Sequence, residues 1–422
     1  KSLEPGCIAD IINYKITVSK YWSIENTKVK LEKKFSDRIE KVKFLITNSI
    51  KKHLISDRDI VLSMSTGTDS TSLAFLMNKY KGSILNTYTY SFAQKKNEID
   101  SISQISNYID ISNKEVRVTH NDFISNFEKL TSILESPFTS LRILGQFLLY
   151  KKMSLDGYKV AITGDGGDEM LGGYDYNVPH LIRDKHPKIL SKKFMNELEK
   201  FSYTKTNSKV KQVKKMINLL ISLSFQHGTT SDGTPFVNTN NFNQDYLNNH
   251  LTEDLFFFKY NKKLNNLKNS QFFDIKHIKL PRVLKYQDRM SMTYGIESRV
   301  PFLDHKLFEY IFNLDNEDKI NQNYETRYIF KKSLKELTTS NIKFRQTKNT
   351  ITDPQSIWLR KELKSFALDM FNSTDFKKLD YFNYKNCIKS FEDFCKNKEQ
   401  SSFHLFQILS FIVFKNSFAK DV

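Results

Sequence analysis

The sequence predicts an α/β protein: a parallel sheet with helices on both faces, followed by a mainly helical second half. Between residues 59 and 165, apolar β-branched stretches alternate with helix-period stretches. That pattern belongs to β-α units whose strands are covered on both sides. Two of the strands run straight into glycine-rich, acidic turns, "STGTDSTS" and "TGDGGDEMLGGY". Beyond about Pro179 the strand pattern gives way to long mixed stretches such as "QVKKMINLLISL" and "SSFHLFQILSFIVF".

Each element follows from its own residues. Residues 1–25 read as a short β segment, because "PG" signals a turn and "YKITVSKYW" is rich in β-branched and aromatic residues. From Asn26 to His53 the period becomes helical, with Val29 and then Phe35, Ile39, Val42, Leu45 and Ile46 recurring at three- and four-residue steps. "DIVLSMS" (59–65) is a buried strand and "DSTSLAFLMNKY" a helix. "SILNTYTYSF" (83–92) is the next strand, followed by a helix through Ile99–Ile109. "KEVRVTH" (114–120) is the third strand, helices fill 121–158, and "KVAITGD" (159–165) is the fourth strand. "TTSDGTPFVNTNN" reads as a loop, and no internal repeat is present.

Composition bounds the function. A chain of 422 residues exceeds what one hydrophobic core comfortably fills, so two domains, or one with large additions, are expected. A hydrophobic fraction of 39% with 13% aromatics excludes a disordered chain. No apolar run reaches the roughly 18 residues of a membrane span. The longest candidate, Phe403–Phe414, is interrupted by Gln407 and Ser410 and reads as a core helix. Cys7, Cys387 and Cys395 are few, odd in number and not at metal-ligand spacing, which fits a reduced, cytoplasmic compartment. The net charge of +18 comes from dispersed lysines without a basic block. That distribution reads as solvated faces rather than a nucleic-acid surface. The start lacks both an initiator Met and a signal-peptide pattern, so sequence upstream of Lys1 is expected in the natural protein.

The chemistry concentrates in the two turns. In "LSMSTGTDSTS" (62–72) a strand ends, a turn follows and a helix opens. Backbone N–H groups there, backed by the helix dipole, suit a polyanion. Ser65, Thr66, Ser70 and Thr71 add hydroxyls, and Gly67 allows close backbone approach. Asp69 would repel phosphate unless a divalent cation lies between them, which points to a nucleotide phosphate with Mg²⁺. The Walker pattern is absent. The second turn, with Gly164, Asp165 and Asp168, follows another strand of the same sheet. Both turns therefore belong at its carboxyl edge, where Asp69 and Asp168 can share one Mg²⁺. Taken singly, each turn could also be a capped helix start with solvated acids.

At these residues the sequence resembles a known family. "STGTDS" is similar to the S-G-G-x-D-S pyrophosphatase loop, and "GDGGDEMLGGY" to the G-E-G-x-D-E-x-x-G-G-Y motif of the asparagine synthetase family. "LPRVLKYQDRMSMTYGIESRVPFLDHKLFEY" (280–310) and "RQTKNTITDPQSIWL" (345–359) look like that family's next two motifs, in its order. Residues 1–25 look like the last strands of its amino-terminal glutaminase domain. The synthetase domain would then run over 26–422, with a nucleotide-binding core at 26–178 and a mostly helical part at 179–422.

The resemblance implies an adenine nucleotide α-hydrolase-like fold and a two-step, AMP-forming ligase reaction. A carboxylate is activated by ATP as an acyl-adenylate, and ammonia or an amine then takes the acyl group. On that reading Ser65, Thr66, Gly67 and Ser70 cradle pyrophosphate, while Asp69 and Asp168 hold Mg²⁺. Ser91 and Gly164 lie near the adenosine. Lys348 and Arg345 stabilise phosphate charge, and Asp165 orients the amine or takes its proton. Family members also include β-lactam synthetases and lasso-peptide cyclases, so the acceptor could be aspartate, a sugar acid, a β-amino acid or a peptide.

Some positions depart from the family pattern. Thr66 stands where the family has glycine, Thr68 where it has an apolar residue, and Asp165 where it has glutamate. Cys7 follows "EPG" and is expected to be an ordinary buried thiol, so no glutamine hydrolysis is assigned to these residues; a glutaminase domain or subunit would supply it. Arg289, Glu297, Arg299 and Asp304 are expected to form a buried ion-pair network, and Trp22 and Trp358 to be core residues. Glu98 and Glu135 match acidic family positions without an assigned role. A tRNA-modifying enzyme with the same loop and a non-catalytic relative are the competing readings.

Overall fold

The amino-terminal residues pair locally. Strands β1 (Cys7–Ile12) and β2 (Lys15–Lys20) form an antiparallel hairpin. It closes at Asn13 and Tyr14, whose φ values of 50° and 62° match the twist a two-residue hairpin loop needs. The computed structural model describes residues 3–82, 84–92, 102–103, 105–188, 191–203, 217, 220, 238–250, 261–335, 354–398 and 401–418.

Five further strands form one sheet: β3 (Ile60–Ser63), β4 (Leu85–Phe92), β5 (Ile111–Val118), β6 (Val160–Ile162) and β7 (Glu297–Arg299). Their order is β5-β4-β3-β6-β7, with every pairing parallel. Successive side chains of a strand point to opposite faces. Ile60 and Leu62 accordingly join one apolar cluster and Val61 the other; Val160 and Ile162 separate from Ala161 in the same way. The first cluster is closed by α1 (Phe35–His53) and α2 (Thr68–Lys81), with the helices His305–Asn313 and Tyr328–Leu334. The second is closed by α3 (His120–Leu134) and α4 (Arg142–Leu155), with the carboxyl-terminal helix Phe403–Phe418. The second half is mainly helical, as its sequence predicts.

The four strands expected from 59–165 are present. Differences from expectation have local causes. Helix α1 starts at Phe35 rather than Asn26. Between them Val29 and Leu31 alternate with exposed Lys28 and Lys30, a period of two that suits extended chain packed edgewise on the core. Strand β5 begins at Ile111 and stops at Val118, because His120 already belongs to α3, capped by Thr119 and Asp122. Strand β7 was not anticipated. The helix expected through Ile99–Ile109 lies only partly among the described residues, and "QVKKMINLLISL" lies almost entirely outside them.

The expected ion-pair network resolves into separate ties. Arg289 pairs with exposed Glu135 at 2.7 Å, and Lys52 with Asp304 at 2.9 Å. Arg299 pairs with exposed Glu297 at 2.7 Å and donates to the carbonyls of His53 and Ile55 at 2.8 and 2.7 Å. The second half is thus fastened to α1 and α3 at several points rather than through one buried cluster. Trp358 is in the core against Phe92, whereas Trp22 is half-buried and donates from Nε1 to Glu309 at 2.6 Å. Cys7 is only half-buried, and all three cysteines are unpaired. Burial pushes the Cys387 thiol up to about 12. No helix among the described residues is long and apolar enough to cross a membrane.

Candidate active site

In an open parallel sheet, ligands bind where neighbouring strands send their chains in opposite directions. Here that point lies between β3 and β6: β4 and β5 are added on one side of β3, β6 and β7 on the other. Both glycine-and-acid turns leave the sheet there. Between them opens a cleft of about 280 Å³, lined by both turns together with residues from α4 and Arg327.

The first turn is held by its own hydroxyls. Ser70 Oγ donates to the Ser65 carbonyl at 2.8 Å and lies 2.9 Å from Ser65 Oγ, which accepts from the Gly67 N–H at 3.2 Å. Gly67 is the N-cap of α2, so the first-turn N–H groups of that helix, including those of Thr68 and Asp69, have no intrahelical partner. Ser65, Thr66, Gly67, Asp69 and Ser70 all line the cleft.

The second turn explains its glycines by close approach. Gly164 lies against Asp69, where an added Cβ would come within 3.2 Å of that residue's Cβ and of the Ser70 backbone nitrogen. At Gly173 an added Cβ would overlap the Asp168 carboxylate and fall 2.6 Å from Arg327 Nε. Between these glycines the short helix α5 (Gly167–Leu171) carries Asp168 and Glu169 in its first turn. Asp165 accepts from Thr163 Oγ1 at 2.9 Å; that hydroxyl accepts from Gln287 Nε2 at 2.7 Å. Gln287 also reaches Ser298 Oγ at 2.5 Å, which lies 3.3 Å from the Tyr150 hydroxyl. The Asp165 carboxylate is therefore oriented by a chain anchored on β7. Burial raises the Tyr150 phenol well above its ordinary value, with Asp165 adding to the effect and hydrogen bonds from Ser298 and Gln287 opposing it.

Asp69 and Asp168 come together. Arg327 Nη2 donates to Asp69 Oδ2 at 3.1 Å and also to Asp168 Oδ1, and all three side chains are largely buried. Asp69 Oδ1 is buried without a hydrogen-bond partner. One cation shared by two acids, with a carboxylate oxygen still open, fits a divalent metal. Among the described residues no cluster of three or more His, Cys, Asp or Glu could hold a metal alone. The pair would complete its coordination from phosphate oxygens and water, the usual habit of magnesium.

Glu169 lines the same cleft but is tied to an aromatic neighbour. It accepts from the Tyr174 hydroxyl at 2.6 Å, and burial raises its carboxyl above the usual range although that hydrogen bond opposes the shift. Tyr174 stacks on Tyr176 with centroids 5.0 Å apart, and Lys279 Nζ lies 3.7 Å from the Tyr174 ring centre.

The structure brings together Ser65, Thr66, Gly67, Asp69, Ser70, Gly164, Asp165 and Asp168. Ser91 is not among the cleft-lining residues: it is buried in β4 and donates to Glu115 on β5. Lys348 and Arg345, like Glu98, lie outside the described residues. Sequence reading missed Arg142 and Arg327. Arg142 opens α4 in the cleft wall, with Nε buried and without a partner. Neither arginine sits in a local motif.

A parallel α/β sheet whose paired glycine-and-acid turns meet at its switch point defines a nucleotide-binding type of α/β domain. The chain belongs to the asparagine synthase family, whose profile matches residues 41–416. It is 22% identical to asparagine synthetase [glutamine-hydrolyzing] 1 of Bacillus subtilis, over 98% of this chain and 64% of that protein. It is 21% identical to amidase chry2 of Gibberella zeae, over 86% of this chain and 60% of that protein. With amidase chyE of Penicillium rubens the identity is 22% over 80% of this chain and 56% of that one. The chain therefore spans about three fifths of the length of these curated relatives.

Proposed function

We propose that this chain is a carbon–nitrogen ligase that makes amide bonds with ATP, forming AMP through an acyl-adenylate. The observation that carries this is the meeting of Asp69 and Asp168 around one cation, beside two glycine turns at the sheet's switch point. A carboxylate oxygen of the acceptor attacks the α-phosphorus and pyrophosphate departs. The nitrogen of ammonia or an amine then attacks the acyl carbon, loses a proton, and AMP leaves.

The residues divide that work. Ser65, Thr66, Gly67 and Ser70, with the first turn of α2, bind the β- and γ-phosphates. Asp69 and Asp168 hold Mg²⁺, which neutralises charge on the departing pyrophosphate. Gly164, packed on Asp69 in the cleft wall, lies beside the adenosine. Asp165, oriented by Thr163 and Gln287, positions the incoming nitrogen and accepts its proton. Arg142, with its open Nε, faces a carboxylate of the acceptor. Lys348 and Arg345 take the phosphate-stabilising role that the family resemblance gives them.

The acceptor class follows Arg142: a molecule with a second carboxylate, of which aspartate is the simplest. Asp165 favours a second reading, a biosynthetic amidotransferase or cyclase acting on a sugar acid, β-amino acid or peptide. Its carboxylate is one methylene shorter than glutamate and leaves more room for the acyl group or amine. The reading as a tRNA-modifying enzyme draws on charge alone.

Ammonia comes free or from a glutaminase domain or subunit. The exposed apolar side chains of Ile8, Ile11, Ile12, Ile16 and Val18 support reading the hairpin as the end of such a β domain. The three unpaired cysteines suit a cytoplasmic protein.

The test is release of AMP and pyrophosphate from MgATP and ammonium chloride, with candidate carboxylates added singly. Release with aspartate identifies a synthetase of asparagine; release only with a sugar acid, β-amino acid or peptide identifies the biosynthetic branch. Nucleotide binding without AMP for any acceptor rejects the proposal in favour of a non-catalytic relative.

A further inference from the structure

Arg327 occupies the cleft in a way the reaction just described does not by itself require. It precedes the helix Tyr328–Leu334 and has a left-handed backbone, φ 57°, a conformation that costs free energy in a residue with a side chain. From there its guanidinium reaches two acids 258 and 159 residues away in the chain. The contact is tight enough that Gly173 cannot carry a Cβ beside it. Yet the pairing is incomplete: Arg327 Nε and Asp69 Oδ1 are both buried without a hydrogen-bond partner. An unsatisfied donor calls for anionic oxygens, and an unsatisfied carboxylate oxygen calls for a cation.

We propose that Arg327 is an exchange cation and a pyrophosphate ligand; this rests on the reading of the cleft as a MgATP site. Without nucleotide, Arg327 offsets part of the charge of Asp69 and Asp168, two largely buried acids that would repel each other without a cation between them. When the magnesium complex of the nucleotide enters, Arg327 yields the two carboxylates to the metal. Its guanidinium then turns to the polyphosphate oxygens, where its planar fork suits them. A cation thus faces the two acids in both states, the guanidinium before the nucleotide enters and the metal after it. The exchange also imposes an order: the acids take up a divalent cation poorly until a polyphosphate draws the arginine away. By linkage, metal and polyphosphate each raise the affinity for the other.

The experiment is Mn²⁺ binding followed by electron paramagnetic resonance, with inorganic pyrophosphate binding followed by calorimetry. Both are done on the wild-type chain, Arg327→Gln and Arg327→Lys, with circular dichroism to confirm folding. In the wild type, pyrophosphate should tighten Mn²⁺ binding by roughly tenfold or more. Arg327→Gln should tighten Mn²⁺ binding without pyrophosphate by a similar factor, and weaken pyrophosphate binding in the absence of metal. Arg327→Lys should fall between. If folded Arg327→Gln binds Mn²⁺ and pyrophosphate as the wild type does, the exchange is wrong while the function proposed above stands. If Arg327→Gln does not fold, absence of any pyrophosphate effect on Mn²⁺ in the wild type overturns the exchange by itself. If the wild type binds neither nucleotide nor pyrophosphate, the reading of the cleft fails first.

Discussion

Two largely buried carboxylates side by side depend on the cation between them. Replacing Asp168 with Asn keeps the shape and removes one charge from the proposed metal site. AMP formation should fall by about a hundredfold or more, the usual scale for losing one electrostatic stabiliser, while the far-ultraviolet circular dichroism spectrum stays unchanged. A second residue outside the cleft makes a different prediction. His180, on the helix Asn177–Lys185, is 1% exposed, and neither ring nitrogen has a hydrogen-bond partner. Burial, with Arg183 nearby, brings its pKa down to about 3. The folded chain keeps the ring neutral, whereas the unfolded chain takes up a proton below its ordinary value near 6.5. The resulting stability is present above that value and is lost as pH falls towards about 3. His180→Leu should flatten this acid slope. It should also stabilise the fold by about 1–3 kcal/mol, because no unpaired polar atom remains buried. Urea midpoints at pH 7 and pH 5 measure both effects.

Elements show how far local pattern reaches. Asp304 caps the helix His305–Asn313, accepting from the Lys306 and Leu307 N–H groups at 3.1 and 3.4 Å and from Lys52 at 2.9 Å. Burial pushes its carboxyl up, but Lys52 and the Leu307 N–H outweigh this and hold it below the usual range. Its contribution is therefore present above the ordinary carboxylate range and is lost as pH falls through the lowered value. Asp304→Ala should cost about 0.5–2 kcal/mol near neutral pH and less in acid, as thermal unfolding at both pH values would show. On α4, a Cβ at Gly145 would overlap the Tyr90 ring of β4. Gly145→Ala should therefore destabilise by about 1–3 kcal/mol through overpacking, read from the same melts. Strands β3 and β6 were legible because burial on both faces leaves short, nearly continuous apolar runs, and β4 because it is rich in β-branched and aromatic residues. Strand β7 was not: "ESR" is polar throughout and extends only because the β6 edge offers it a ladder. Val29 was read into the helical period, but the pattern it shares with Leu31 has a period of two, and packing chose the extended form. Arg142 and Arg327 left no local trace, since their role comes from meeting turns far away in the chain.

At the scale of the whole molecule, the α/β core and the helical second half share their apolar clusters. Phe406 of the carboxyl-terminal helix is fully buried among Phe123, Phe127 and Phe138. Phe406→Ala should cost about 3–5 kcal/mol and lower the melting temperature of the whole chain in one transition. The two turns and the parallel sheet could be read from residues 59–174, because strand, glycine and acid are contiguous there. The wall formed by Arg142 and Arg327 became visible only once the chain closed around the turns. The central claim is that a carboxylate is activated by joining it to AMP. The most direct test uses an acceptor carboxylate labelled with ¹⁸O, MgATP and ammonium chloride, followed by mass spectrometry of the nucleotide product. One labelled oxygen transferred to AMP is the predicted result, since the attacking oxygen stays on phosphorus when the amide forms. Label in inorganic phosphate alongside ADP, or amide formed without labelled AMP, would contradict it.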